Sequence, residues 1–223
     1  MSPSTVIERV EHVRLLVAAA CARVGRSPDS ITLIAVAKGI EPGAIREAVA
    51  AGIGHLGENR IQQAQAKFQS LSDLRTTTTR HMIGHLQTNK VKDALALFDI
   101  IHSVDSIHLA VAISRRALKP APVFLEVNVS EEATKYGFPL DELPRSHELI
   151  SRLKNISVRG LMTVAPLSEH AEYARPVFRR LRESAAELGL PELSMGMTDD
   201  FEVAIEEGAT HVRIGRAIFG ERP

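Results

Sequence analysis

The chain of 223 residues carries 27 Lys plus Arg against 27 Asp plus Glu, a formal net charge of zero with its nine histidines neutral. That balance excludes the basic excess of a domain that neutralises nucleic-acid phosphates, and no run of like charge marks a basic arm or an acidic tail. With 44 % hydrophobic and 24 % charged residues, the composition is that of a globular protein and excludes disorder.

Residues 5–24 predict an amphipathic helix that holds the single cysteine, Cys21, read as a small buried apolar residue. One cysteine cannot close an intramolecular disulfide, so a reducing cytoplasm is the expected location. The apolar run at 15–22 is too short to span a bilayer and lacks the order of a signal peptide. Eight β-rich runs then alternate with helical spacing, at residues 31–37, 53–57, 81–84, 99–103, 123–129, 158–164, 193–196 and 210–214. Helices are predicted between them, among them 42–51, 60–70, 88–97, 107–118 and 175–188. The polar segment 72–80, with its four threonines, reads as a solvated loop. Eight βα units predict a single (β/α)8 TIM barrel over residues 1–223 with no second domain. The chain ends soon after the eighth strand, so the N-terminal helix is expected to close the helical ring.

Such barrels carry their sites at the C-terminal ends of the strands. The residues there are Lys38, Glu58, Asn59, His85, Gln87, Ser103, Asp105, Asn128, Ser130, Thr163, Ser194, Gly196, Arg213 and Gly215. Alternation puts Thr32, Ile34, Val36 and Lys38 on one face of the first strand, with Lys38 inward at the mouth. A lysine that loses hydration there becomes a nucleophile able to form a Schiff base with a carbonyl. On the last strand His211, Arg213 and Gly215 share a face. Strands one and eight pair in a closed barrel, so Arg213 is expected beside Lys38, and two adjacent cations invite an anionic ligand.

A phosphate site is expected after strands seven and eight, with Gly196 and Gly215 exposing backbone N–H groups and Ser194 donating its hydroxyl. Thr198 reads as the cap of a helix whose first turn holds Asp199 and Asp200. That turn repels phosphate, which places the phosphate near Gly215 and Arg216. Other patterns carry less. The G-x-G-x-x-G at Gly52 to Gly57 contains a strand where the dinucleotide fingerprint must follow one. His81 and His85 fall on a strand and its turn, which disfavours a metal site. Arg179, Arg180 and Arg182 read as the wet face of a helix.

From Ile31 to Gly220 the ordered motifs AVAK ending at Lys38, GENRIQ from Gly57, HMIGHLQTNK from His81, HSVDS from His102, VNVS from Val127, KYG at Lys135, GLMT from Gly160, LSMGMTDD from Leu193 and VRIGRAIFG from Val212 together resemble the pyridoxal phosphate (PLP) homeostasis family, related to the alanine racemase N-terminal barrel. The resemblance implies a fold type III PLP barrel in which Lys38 forms the Schiff base and Arg213 faces the pyridine nitrogen. Ser194, Gly215 and Arg216 would hold the phosphate, and Asn59 and Met195 would line the cofactor. An arginine at the ring nitrogen weakens the ring as an electron sink, which suits holding PLP better than broad chemistry. Departures from the family pattern are Ala37 for serine, Gly39 for threonine, Arg80 for an aromatic residue, Glu126 for glutamine and Arg216 for a small hydroxyl residue.

The expected function is therefore a non-catalytic PLP carrier that buffers or supplies the cofactor. Its partners would be PLP and, transiently, apo-enzymes that need it, with no nucleic acid and no membrane, and the carrier would be a monomer. The alternatives are a racemase or decarboxylase, for which Lys135 and Tyr136 offer proton carriers, and a Schiff-base aldolase.

Overall fold

The computed structural model describes residues 5–132 and 136–221. Eight parallel strands close into a barrel in chain order. They are β1 (Thr32–Val36), β2 (His55–Glu58), β3 (Thr79–Met82), β4 (Ile100–Val104), β5 (Ala121–Glu126), β6 (Ile156–Met162), β7 (Glu192–Ser194) and β8 (His211–Ile214). The helices are α1 (Val6–Arg23), α2 (Pro42–Ala50), α3 (Ile61–Ser70), α4 (Val91–Leu97), α5 (Ile107–Arg116), α6 (Leu143–Ser151), α7 (Arg175–Glu187), α8 (Phe201–Glu206) and α9 (Arg216–Phe219). None of the described helices is long and apolar enough to cross a membrane.

Helix α1 fills the gap in the ring as the sequence predicts, because α9 is only one turn long. Its Val6, Val10, Val13, Val17 and Ala20 recur at helical spacing and are buried, and the helix packs on α2, α8 and α9. Polar clamps fix it on both sides. Arg14 donates to Ala51 O at 2.8 Å and Gly52 O at 2.9 Å beyond α2, and Arg23 pairs with Glu202 and Glu206 of α8. The helix starts in a capping box, in which Thr5 Oγ1 accepts from Glu8 N–H and Glu8 accepts from Thr5 N–H. Replacing Thr5 by alanine is expected to lower stability by about 1 kcal/mol in a thermal or urea melt, the ordinary worth of such a cap. Cys21 is buried, as expected.

Strand alternation divides the barrel residues into two populations. Ala35, Ala37, Leu56, Met82, Val123, Leu125, Leu161, Leu193, Met195, Val212 and Ile214 join the apolar layer shared with the helices. The interior, by contrast, is polar for a TIM barrel, where branched aliphatics usually dominate. His81, His102, Ser194 and Arg213 are buried there, with Phe124 and Ile34 fully buried. At the β6–β7 seam a Cβ on Gly160 would lie 1.8 Å from the Glu192 carbonyl oxygen, so that close approach requires glycine.

Two local expectations are corrected. The segment expected as a solvated loop contains a short 3-10 turn (Ser72–Leu74) and the start of β3. Its Arg80 is buried with its guanidinium 4.2 Å from the Phe68 ring centroid, because a planar cation can cover an aromatic face. Thr198 does not cap α8: Asp200 is the residue before the helix, and its carboxylate accepts from Met197 N–H at 2.6 Å.

Candidate functional site

Lys38 stands on the turn that follows β1, half-buried at the C-terminal mouth of the barrel. The turn is anchored from the side. Lys67 on α3 donates both to the Ala37 carbonyl and to the Glu58 carboxylate, and Glu58 is fully buried at the end of β2. Burial pushes the Glu58 carboxyl up, while Lys67, the Asn59 backbone N–H and Lys38 pull it back down. Asn59 follows, and its Oδ1 is buried without a hydrogen-bond partner among the described residues.

Arg213 lies deeper than the sequence suggests. The β1–β8 register opposes Arg213 to Ile34, so Lys38 is four residues further toward the mouth, roughly 13 Å along an extended strand. The two cations therefore sit at different depths and not side by side as expected. The cause is the stagger that closes a barrel, which shifts neighbouring strands along each other. Burial pushes the Arg213 guanidinium down to about 10, and Glu126 and Asp200 act the other way. Its Nη1 donates to Ser194 O and Ser194 Oγ, each at 2.7 Å, and its Nη2 to Thr163 O at 2.9 Å. These bonds use three of the five guanidinium N–H groups.

The remaining site residues separate. Ser194 is fully buried, and its hydroxyl is held between Arg213 and His102 Nδ1, the latter at 2.8 Å. That position is beneath the mouth. Met195 is fully buried in the layer between sheet and helices. Met195 is the first residue after β7. Gly215 precedes the single turn α9, and Arg216 is exposed and pairs with Asp199. That ion pair joins the residue after Gly215 to one of the two acids before α8.

Four side chains, Glu126, Asp105, His85 and Tyr136, are linked at the mouth. Glu126, at the end of β5, is pushed up to about 7 by burial and by Asp105, with Arg213 pulling it down. Asp105 is bonded to His85 Nδ1 at 2.9 Å. The His85 ring stacks on Tyr136 with centroids 3.8 Å apart, while Lys135 lies outside the described residues. Further down, His55, His81, His102 and His211 cluster in the barrel interior. Burial holds all four below the usual histidine range, His81 and His102 furthest and His211 at about 4. Strand alternation was the available signal, because each of the four lies on the inward parity of its strand. No group of three or more histidines, cysteines or acids placed to hold a metal occurs among the described residues.

A barrel with a lysine at its mouth and a buried arginine below it matches the alanine racemase N-terminal domain, whose family model covers residues 18–223. The pyridoxal phosphate homeostasis protein of Aquifex aeolicus is 45 % identical, over 96 % of this chain and 97 % of that protein. That of Pseudomonas aeruginosa is 41 % identical over 98 % and 96 %. The chain belongs to this family, the pyridoxal phosphate homeostasis proteins of the alanine racemase N-terminal domain class. Among solved structures, PipY of Synechococcus elongatus PCC7942 with PLP bound superposes with a TM-score of 0.81 at 40 % identity, covering 92 % of this chain and all of that one. Alanine racemase from Corynebacterium glutamicum shares the fold at a TM-score of 0.70, with 16 % identity over 97 % of this chain and 61 % of its own.

Proposed function

We propose that this protein binds pyridoxal 5'-phosphate covalently but reversibly and serves to buffer and supply it, in the cytoplasm and as a monomer, to enzymes that require it. The observation that carries the reading is vertical: a Schiff-base-competent amine on the Lys38 turn stands above a buried arginine that keeps two N–H groups beyond those already bonded. The donor set fits the group, and the partnerless Asn59 Oδ1 is a further polar atom suited to a ligand. Lys38 would supply the amine for a Schiff base with the PLP aldehyde. Arg213 would donate to the ring nitrogen and disfavour its protonation, and Asn59 would line the ring. The backbone at Gly215 and Arg216 would receive the phosphate, next to the exposed Arg216–Asp199 pair. Bound PLP is an electrophile and electron sink, and an unprotonated ring nitrogen weakens the second property.

A racemase is the second reading, favoured by the His85–Asp105 pair and the stacked Tyr136 at the mouth. One experiment separates the two. Native protein given PLP is expected to show a visible imine band that borohydride fixes to Lys38, and Lys38→Ala is expected to show neither band nor adduct. A Lys38→Ala protein that traps PLP like the native one would overturn the assignment, and racemisation of free amino acids at ordinary enzyme rates would favour the enzyme.

A further inference from the structure

The histidines inside the barrel form a connected path. His55 Nδ1 lies 3.0 Å from His81 Nε2, His81 Nδ1 lies 2.8 Å from His102 Nε2, and His102 Nδ1 lies 2.8 Å from Ser194 Oγ. The spacing follows from the barrel's stagger. Gly57 opposes His81, which leaves His55 two residues below it, and His81 opposes Ile100, which leaves His102 two residues above. Each step to the next strand therefore climbs two residues, and two is the period that keeps side chains on the inner face.

The direction of the path can be worked out from Arg213. A guanidinium has only donors, so Ser194 Oγ must accept from it. Ser194 is fully buried, so its own proton needs an acceptor, and His102 Nδ1 is the bonded partner that remains. His102 then carries its proton on Nε2 and donates to His81 Nδ1. His81 in turn carries an Nε2 proton and donates to His55 Nδ1. The opposite direction would leave the Ser194 proton buried without an acceptor, the costly case for a polar group. His81 and His102 are fully buried, and the His102 ring lies flat against Phe124 with centroids 4.3 Å apart. The path ends at His55, which is half-buried at the start of β2 and lines a cleft of about 450 Å³ with Arg14, Asp29 and Thr32 at the far end of the barrel.

We propose that His102, with its tautomer set through His81 and His55, is a positioning residue for the cofactor: it takes the Ser194 proton, so that the Ser194 lone pairs hold the Arg213 guanidinium toward the pyridine nitrogen. The proposal rests on the PLP-binding reading for its consequence, but the tautomers are a property of the cofactor-free protein. No histidine in the path touches the cofactor, and its influence passes through Ser194 and Arg213.

The test has two arms. Long-range 15N–1H NMR on cofactor-free protein at pH 7.5 is expected to show His55, His81 and His102 neutral with the proton on Nε2, whereas an Nδ1-protonated or doubly protonated His102 overturns the proposal. In the second arm PLP is titrated into folded variants. His102→Phe keeps a ring against Phe124 but accepts no proton, and PLP affinity is expected to fall about tenfold, the worth of one hydrogen bond, with a displaced imine band. His102→Asn places an amide oxygen near the former Nδ1 and is expected to restore affinity and band position to within about threefold of native. Ser194→Ala is expected to match His102→Phe, and the double variant to be no worse than either single one. Equal loss in His102→Phe and His102→Asn means a packing role and overturns the proposal, as does native affinity in both His102→Phe and Ser194→Ala. Failure of the native protein to form an imine overturns the PLP reading and the positioning role with it, whatever the tautomers.

Discussion

Replacing Lys67 by methionine is expected to cost the folded state about 3 to 5 kcal/mol, read by urea unfolding at pH 7, because it strands a buried carboxylate. Glu58 is fully buried, and Lys67 is its salt-bridge partner. Methionine preserves the stem that packs along α3 but removes the charge. The effect carries a pH signature. Burial already lifts the Glu58 carboxyl above its ordinary 4.5, with Lys67 opposing that lift. Without Lys67 the folded state binds the Glu58 proton more tightly than the unfolded chain does. The penalty is therefore absent below pH 4.5 and grows as pH rises through and above it. A Glu58→Leu, Lys67→Met double variant removes both charges and is expected to recover most of the loss, since a packed apolar pair replaces a buried ion pair at little cost. If the double variant is as unstable as Lys67→Met, the buried charge is not the cause. The same amine holds the Ala37 carbonyl next to Lys38, so Lys67→Met is also expected to release PLP faster.

Replacing Glu126 by glutamine is expected to stabilise the protein by about 3 kcal/mol above pH 7 and to change nothing below pH 4.5. Burial and Asp105 push this carboxyl from 4.5 up to about 7. Between those values the folded protein keeps a proton that the unfolded chain has released, so native stability falls as pH rises through this window. Glutamine is neutral throughout and resembles the protonated form. The buried histidines act with the opposite sign. Their folded pKa values lie below the ordinary 6.5, so the unfolded chain binds more protons as pH falls from 6.5, and their share of stability is lost on acidification. The two slopes overlap in native protein, and the difference between native and Glu126→Gln isolates the carboxyl. An unchanged difference between pH 4.5 and 8 in denaturant melts would show that Glu126 is not held up.

Much of the fold was legible because it depends on local periodicity. Apolar alternation in 31–37 and 210–214 marks strands, and the spacing Val6, Val10, Val13, Val17 marks the helix that closes the ring. Lys38 was legible as the one charge closing an apolar strand, and Arg213 as the inward residue of the last strand. Arg216 was legible as a departure but not as the partner of Asp199, because that pair joins the start of α9 to the turn before α8, 17 positions away.

The sequence by itself determined the eight βα units, the helix that completes the ring, the family and the lysine at the mouth, since each depends on short-range pattern or on motifs in fixed order. Tertiary structure alone decided depth and partnership: that Arg213 lies below Lys38, that the Ser194 hydroxyl joins Arg213 to His102, and that three histidines from β2, β3 and β4 join into one path. The physical reason is the stagger of the closed barrel. It shifts each strand against the next by an amount that no single strand encodes, and that shift sets which inward side chains come within hydrogen-bond reach.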